Sequence, residues 1–427
     1  MILLLIGVFF AMMLLGVPVA FSMLGSSLVY IAVGLLNGNT LLLTTAIQRV
    51  EIAVDSFPLM AIPFFVLAGE FMNTGGITKK IMDFARACVG HLQGGMAQVN
   101  IFASTLFAAM SGSSIACAAI FGKMMIPDME RDGYDKGFAS AVCSCSATIG
   151  PIIPPSIVMV VFGVMANASI GRMLIGGIIP GVMMALSLMV IAYIISKKRK
   201  YPVYERLSGR ERLKMAKSAI LPLLMPIILI GGILSGYFTP TEAAVVAALY
   251  GCILGLASGE LKLNQLPKVL FDTALGSART MFIIGTAGLF GWILTLEQAP
   301  ILFSNWLFSI STNRWIVILI INLFLLVLGM FMESSAIIIM TTPFLVPIVL
   351  SLGFDIIHFG IMMMVNVMIG CVTPPVGVLM YVTNDIAEIS MREYLRFQWP
   401  FLLSLFVVLI LVTAFPIISL LLPNLLL

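Results

Sequence analysis

Apolar runs of about 20 residues, the length a helix needs to cross the hydrocarbon of a bilayer, follow one another along this chain with only short polar connections between them. The first apolar stretch reaches Leu36 and is interrupted at Gly16-Val17-Pro18. That pattern predicts two spans meeting at a tight turn rather than a cleaved signal sequence, because the first residues, Met-Ile-Leu-Leu-Leu-Ile, contain no basic side chain. Further spans are predicted at 57–73, 173–195, 219–237, 240–257, 280–298 and 398–422. Four other runs are broken by polar or helix-breaking residues: 94–127 by Ser111-Gly112-Ser113-Ser114, 137–166 by Gly150-Pro151, 315–350 by Glu333-Ser334-Ser335, and 357–383 by its own Pro-Pro. Two amphipathic stretches, 38–56 and 258–278, predict helices lying along the membrane interface.

Composition agrees with lipid as the main solvent: 61% of residues are hydrophobic and 10% charged, and mean hydropathy is +1.13. Orientation comes from the basic residues. Nine of them, from Lys197 to Lys217, fall in one linker with only Glu205 and Glu211 against them, and the positive-inside rule places that linker in the cytoplasm. Counting spans outwards from it leaves Arg131, Lys136, Lys262, Lys268, Arg279, Arg392 and Arg396 inside and both termini outside; Arg314 is the exception. The flanks of 94–127 are basic on both sides, which predicts a re-entrant hairpin opening to the cytoplasm; 315–350 then opens to the other side. Glu70 and Asp55 are expected near the interfaces. The net charge of +4 is too small and too localised for nucleic-acid binding.

An internal repeat carries most of the inference. Sliding the chain on itself by 220 positions aligns 110–158 with 330–378 without a gap. Pro127 meets Pro347, Gly133 meets Gly353, Asp135 meets Asp355, Gly150 meets Gly370, Ser114 meets Ser334, and Pro154-Pro155 meet Pro374-Pro375. Chance matches in so apolar a chain would be Leu and Ile. The predicted topology enters the two copies from opposite sides, and inverted repeats with interrupted helices are characteristic of secondary transporters. The expected organisation is a first inverted repeat at 1–195, the basic linker 196–218, and a second repeat at 219–427.

Each interruption exposes backbone groups that must find partners inside protein. Proline leaves carbonyls without a paired amide and glycine permits close backbone approach. The Ser-Gly-Ser-Ser tip and Ile149–Pro155 therefore predict one oxygen cluster suited to a hard cation such as Na+, and Glu333, Ser334, Ser335, Gly370 and Thr373 predict its counterpart. Half-helix N-termini suit an anionic carboxylate, which points to an organic-acid solute. Of the six cysteines none forms a paired metal or disulfide spacing, and His91 and His358 sit at predicted span edges with no nucleophile–base or paired-carboxylate set, so a membrane hydrolase finds no support. No filter-like sequence suggests a channel.

Phe57-Pro58-Leu59-Met60-Ala61-Ile62-Pro63-Phe64-Phe65, Leu67-Ala68-Gly69-Glu70, Gly75-Gly76, Gly90-His91, Gly94-Gly95, Ser111-Gly112-Ser113-Ser114, both Pro-Pro segments and Phe238-Thr239-Pro240-Thr241-Glu242-Ala243 occur in order over nearly the whole chain. The chain thereby resembles the large membrane (M) subunit of tripartite ATP-independent periplasmic (TRAP) transporters. The resemblance implies an all-α polytopic protein of the bacterial inner membrane and a sodium-coupled elevator in which a scaffold carries a mobile part holding two re-entrant hairpins and two broken helices. It implies two partners, a small four-helix membrane subunit and a periplasmic solute-binding protein. It also implies a first sodium site at Ser111, Ser113, Gly150, Ile153 and Pro155, a second around Ser334, Ser335, Gly370, Thr373 and Pro375, and solute contacts at Ser113, Ser156 and Glu333. Glu333 stands where the first repeat has Ser113, a departure from strict symmetry. Family solutes are carboxylates such as sialic acid or C4-dicarboxylates, with the lean towards sialic acid. The competing reading is a single-component sodium/dicarboxylate symporter of the divalent-anion type, which also uses two hairpins but needs no binding protein.

Overall fold

Helix is the regular structure this sequence forms wherever its apolar runs extend, and no strand occurs among the described residues. The computed structural model describes residues 1–38, 41–74 and 76–427; Asn39 and Thr40 of the 38–56 stretch and Gly75 of the Gly-Gly pair lie outside them. The first half contains α1 (Ile2–Leu14), α2 (Val19–Leu36), α3 (Leu41–Val54), α4 (Ala61–Thr74, preceded by a 3-10 turn at Phe57–Met60) and α5 (Ile77–Val89). It continues with α6 (Gly95–Ser111), α7 (Ser114–Arg131), α8 (Lys136–Ala147), α9 (Ile157–Met165), α10 (Ile170–Gly176) and α11 (Ile178–Arg199). The second half contains α12 (Gly209–Leu234), α13 (Pro240–Ala257), α14 (Leu266–Leu296), α15 (Ala299–Ile310) and α16 (Arg314–Phe331). After these come α17 (Ser334–Ser351), α18 (Ile356–Gly370), α19 (Val378–Ala387), α20 (Met391–Ala414) and α21 (Ile417–Leu426). Among the described residues nine helical segments are long and apolar enough to cross a membrane. Side chains such as Leu36 and Leu3, 87% and 84% exposed, form an outer surface suited to lipid.

Helix boundaries recur at the offset of 220 well beyond 110–158. α2 corresponds in this way to α13, α6 to α16, α7 to α17, α8 to α18, α9 to α19, and α10 with α11 to α20. Two departures have local causes. Asp55-Ser56-Phe57-Pro58 separates α3 from α4, whereas the equivalent Leu275-Gly276-Ser277-Ala278 contains no proline and lets α14 run unbroken for 31 residues, about 46 Å. The 258–278 stretch is therefore not a separate interfacial helix: from Leu266 onward it is the first part of α14. The basic linker is also shorter than its charge run suggests. Ser208 and Glu211 form a capping box, with Glu211 N–H donating to Ser208 Oγ at 3.3 Å and Ser208 N–H donating to Glu211 Oε2 at 3.0 Å, so α12 begins there and carries Arg210, Arg212, Lys214 and Lys217 on its first turns.

Packing sorts the helices into two bodies. α4 lies against α13 and α14, α14 against α2 and α3, and α12 against α13 and α5. The hairpin α6–α7, the hairpin α16–α17 and the broken helices interlock separately, α7 against α19 and α17 against α9. Buried polar ties cross between the two halves of the chain within this second body: Ser140 Oγ donates to Asn384 Oδ1 at 2.7 Å, and the Ser144 and Tyr394 hydroxyls are 2.7 Å apart. The principal bridges between the bodies are α4 and α5 against α6, and α14 and α15 against α17. The linker is held at one end of the molecule, where Tyr201 donates to Asp135, Arg199 pairs with the same carboxylate at 3.0 Å, and Gln93 Nε2 donates to the Tyr201 carbonyl at 3.0 Å. Burial and the neighbouring Asp135 carboxylate push the Tyr201 phenol above its usual range. The linker thus marks one end of the molecule, the linker end, and the far end lies opposite.

Candidate functional site

The first hairpin turns on three residues. α6 ends at Ser111, Gly112 reverses the chain in the left-handed region at φ +59°, and Ser113 caps α7 by accepting the Ala116 N–H at 3.3 Å. The facing broken helix stops at Ala147, turns through Thr148–Pro155, and restarts at Ser156, whose Oγ accepts the Met159 N–H at 3.2 Å and donates to the Pro151 carbonyl at 2.5 Å. Tip and break touch directly. A Cβ on Gly112 would lie 2.7 Å from the Pro155 carbonyl oxygen, and one on Gly150 would lie 3.4 Å from the Ser113 carbonyl. Ser111, Ser113, Gly150 and Pro155 are thus brought together, with Ile153 on the same turn, its side chain against Gly181. The Ser111 hydroxyl is shut off from solvent with no hydrogen-bond partner among the described residues, so it supplies a free oxygen at this junction. The donors here are hydroxyl and carbonyl oxygens, a set that fits a hard cation.

The second hairpin and break are built differently. Met332 is extended and Glu333 precedes α17 without capping its backbone amides; instead the Ser335 Oγ donates to Glu333 Oε1 at 3.1 Å. Thr373 donates to the Ile369 carbonyl at 2.7 Å, which leaves its oxygen lone pairs free. Gly370 packs not on the tip but on Gly329, where an added Cβ would sit 2.6 Å from Gly329 Cα. The Gly377 N–H donates to the Met330 carbonyl at 2.8 Å, tying break to hairpin arm. Pro155 is buried and Pro375 is exposed, so the second break is open on one side. The Pro154–Pro155 and Pro374–Pro375 peptides are both cis.

Both tips open onto one cavity of about 230 Å³. Ser111 to Ala116 come from the first tip and Glu333, Ser334 and Ser335 from the second; α4 contributes Gly69, Glu70 and Asn73, and α14 contributes Gly276 and Thr280. No Lys, Arg or His lines it. Ser113 and Glu333 therefore face the cavity, whereas Ser156 does not: it is fully buried and both its hydrogen-bonding roles are used within its own chain turn. Glu70 is placed in the cavity wall. The one signal for it in the sequence is an acidic residue inside the apolar run 57–73; nothing local marks Asn73, Gly276 or Thr280.

Each break is anchored from behind. Asn100 Nδ2 donates to Ser146 Oγ at 3.1 Å in the first copy, and Asn366 Nδ2 donates to Asn322 Oδ1 at 2.7 Å in the second. The equivalent carbonyls of Ile152 and Val372 are covered by different means: Gly177 at the start of α11 lies against the first, while Gln398 donates its amide to the second. Among the described residues no cluster of three or more His, Cys, Asp or Glu is arranged to hold a metal ion, and all six cysteines are free thiols. His358 Nδ1 lies 2.8 Å from Ser419 Oγ, packed between α18 and α21.

Two hairpins and two broken helices closing on one polar cavity inside a lipid-facing helical protein define a membrane transport protein of the duplicated, hairpin-containing class. Within that class the chain belongs to the family described as the DctM component of tripartite ATP-independent periplasmic transporters, which matches residues 6–418. It is 42% identical to the sialic acid TRAP transporter large permease protein SiaM of Vibrio cholerae, over 96% of this chain and 95% of that one. It is 44% identical to the C4-dicarboxylate TRAP transporter large permease protein DctM of Pseudomonas aeruginosa, over 87% of each. The fold is shared with the YdaH transporter of Alcanivorax borkumensis, with a TM-score of 0.62 over 88% of both chains at 14% identity. The protein is a multi-pass transport permease and not an enzyme.

Proposed function

We propose that this chain is the solute-carrying large subunit of a TRAP transporter that couples uptake of an organic acid to the inward movement of sodium across a bacterial inner membrane. The observation that carries this reading is the convergence of both hairpin tips on a single cavity, the first tip seated against its helix break, where the Ser111 hydroxyl is buried and unpartnered. A sodium ion bound there by Ser111 and Ser113 with the Gly150, Ile153 and Pro155 backbone would hold the first tip closed on the break. A second ion around Ser334, Ser335, Gly370, Thr373 and Pro375 would do so at the second tip. Glu333 and Ser113 face the solute. The bound sodium supplies the positive charge that lets a carboxylate share the cavity with the Glu333 carboxylate.

The hairpins are read as re-entrant, opening to opposite sides, with the linker end in the cytoplasm because its basic residues obey the positive-inside rule. The division of the helices into two bodies supports an elevator movement, α1–α5 with α12–α15 acting as scaffold and the hairpin-bearing body carrying the site. Each net charge moving inwards gains about 2.3 kcal/mol per 100 mV. Delivery of solute would fall to a periplasmic binding protein, with a small membrane subunit on the scaffold. The relatives' names support the solute classes: sialic acid, C4-dicarboxylates and, for a permease of Oleidesulfovibrio alaskensis at 39% identity, isethionate. All three carry an acidic group, and the comparable identities to the sialic acid permease, 42%, and to the C4-dicarboxylate permease, 44%, support both of those solutes.

The decisive experiment is uptake of labelled sialic acid or succinate into proteoliposomes holding this chain and its small partner, with and without a sodium gradient and a cognate binding protein. Uptake only with both supports the tripartite reading; sodium-driven uptake without binding protein supports the single-component symporter. Ser111→Ala removes an oxygen that has no other partner, so it is expected to raise the sodium concentration for half-maximal uptake about tenfold while leaving thermal stability unchanged or slightly improved. Unchanged sodium dependence in that variant would remove Ser111 from the site.

A further inference from the structure

A second opening lies at the far end of the molecule, between the two bodies. It is a crevice of about 490 Å³ with α3 and α14 on one side and Met165 of α9 and Pro343 of α17 on the other. Its α14 wall is formed by Gly288, Gly291 and Trp292, and its polar groups are Arg49 and Thr295. The Arg49 guanidinium stands 5.8 Å from the centre of the Trp292 ring and makes no salt bridge among the described residues. No carboxylate lines the crevice. A Cβ on Gly291 would meet nothing within 4 Å, so this face of α14 is open to the space.

The repeat relates this crevice to the central cavity. Carried through the offset of 220, the α4 stretch lining the cavity, 66–73, falls on 286–293 of α14, the stretch that lines the crevice. The tips now stand level with Gly276 and Thr280. Gly291 lies eleven positions beyond Thr280 on the same helix, about 16 Å at 1.5 Å per residue. The two openings differ in charge: the cavity has Glu70 and Glu333 and no cation, the crevice has Arg49 and no anion.

On the transport reading above, we propose that the far-end crevice is the port of entry for the acidic solute and that the Arg49 guanidinium is the group that first receives its carboxylate. Arginine offers several donors in a planar fork that matches a carboxylate, and Trp292 holds its plane in place. Glu70 acts at the other end of the same path. It belongs to the scaffold, so a solute carried to the linker end meets a fixed carboxylate there that it did not face at the crevice. Attraction at Arg49 and repulsion at Glu70 give the scaffold wall a direction for anions that the near-symmetric hairpins do not have by themselves.

The test uses the complete transporter in proteoliposomes. Arg49→Gln is expected to raise the KM for solute about tenfold, the loss of one charge-assisted contact, with the sodium half-saturation and the rate at saturating solute unchanged. Arg49→Lys should recover part of the affinity, and Glu70→Gln should slow net uptake without altering KM. An unchanged KM in Arg49→Gln overturns the assignment. So does a defect that disappears in vesicles of uncharged lipid, which would assign Arg49 to lipid phosphate, or one cured by excess binding protein, which would assign it to docking. A separate readout does not depend on uptake: in the purified protein, titration with sialic acid or succinate should change a fluorescence component that is lost in Trp292→Phe and unresponsive in Arg49→Gln. Absence of that response overturns the proposal even where transport is intact, and its presence without sodium-driven uptake would fault the transport reading instead.

Discussion

Gly112→Ala is expected to lower sodium-driven uptake by about two orders of magnitude in a chain that still inserts and folds. Two effects add at this position. The backbone is in the left-handed region at φ +59°, which costs a side-chain-bearing residue about 1–2 kcal/mol. The new methyl would also sit 2.7 Å from the Pro155 carbonyl oxygen, a backbone atom that cannot swing aside, and overpacking of this kind costs about 1–3 kcal/mol. A total near 3 kcal/mol corresponds to about a hundredfold in the population of the closed tip. The strain falls where the tip meets the break, so the sodium half-saturation should move with the rate. Gly133→Ala provides the control: its φ is +85° but nothing lies within 4 Å, so it carries the backbone cost alone. Equal effects of the two substitutions on sodium dependence would mean that the contact between Gly112 and Pro155 does not shape the site.

The second large effect is an asymmetry between residues that the repeat makes equivalent. Gly370→Ala should depress thermal stability in detergent strongly, and Gly150→Ala should do so only slightly. At Gly370 an added Cβ comes within 2.6 Å of Gly329 Cα, so two helix backbones must separate, at a cost of about 1–3 kcal/mol or more. At Gly150 the nearest atoms are 3.2 Å and 3.4 Å away, so they need give by only a few tenths of an ångström. Gly329→Ala should behave as Gly370→Ala does, because its Cβ would lie 2.9 Å from Gly370 Cα. Melting temperatures of the three variants decide the matter. Similar shifts for Gly150→Ala and Gly370→Ala would show that the two breaks are supported alike after all.

Much of the architecture was legible in the sequence because lipid leaves few options. Apolar runs must be helical, so the spans followed from length and hydropathy, and the residues that interrupt them, Ser111 to Ser114 and Gly150-Pro151, stood out against that background. The recurrence of Gly, Pro, Asp and Ser at one offset pointed to paired breaks before any contact was known. A local residue also decides where the two copies part: Pro58 separates α3 from α4, and its absence from the equivalent position leaves α14 unbroken, against the separate interfacial helix expected over 258–278. The shorter helices α5 and α15 are not marked in the sequence, because neither is long enough to stand out as a span.

The sequence by itself determined that this protein is helical, lives in a membrane, carries paired interrupted helices and belongs with transport permeases, since each of those properties depends on neighbours along the chain. Only the tertiary structure decided which groups share a space. Glu70, Asn73 and Thr280 reach the cavity because α4 and α14 happen to cross the hairpin tips there, and Ser156 turns away because its hydroxyl is consumed in starting α9. Gly150 and Gly370 occupy the same place in the repeat yet meet different partners, one the facing tip and the other a helix backbone. Repeated sequence specifies repeated elements, but each copy packs against a different surrounding, and contacts between distant segments are where two similar halves acquire distinct roles.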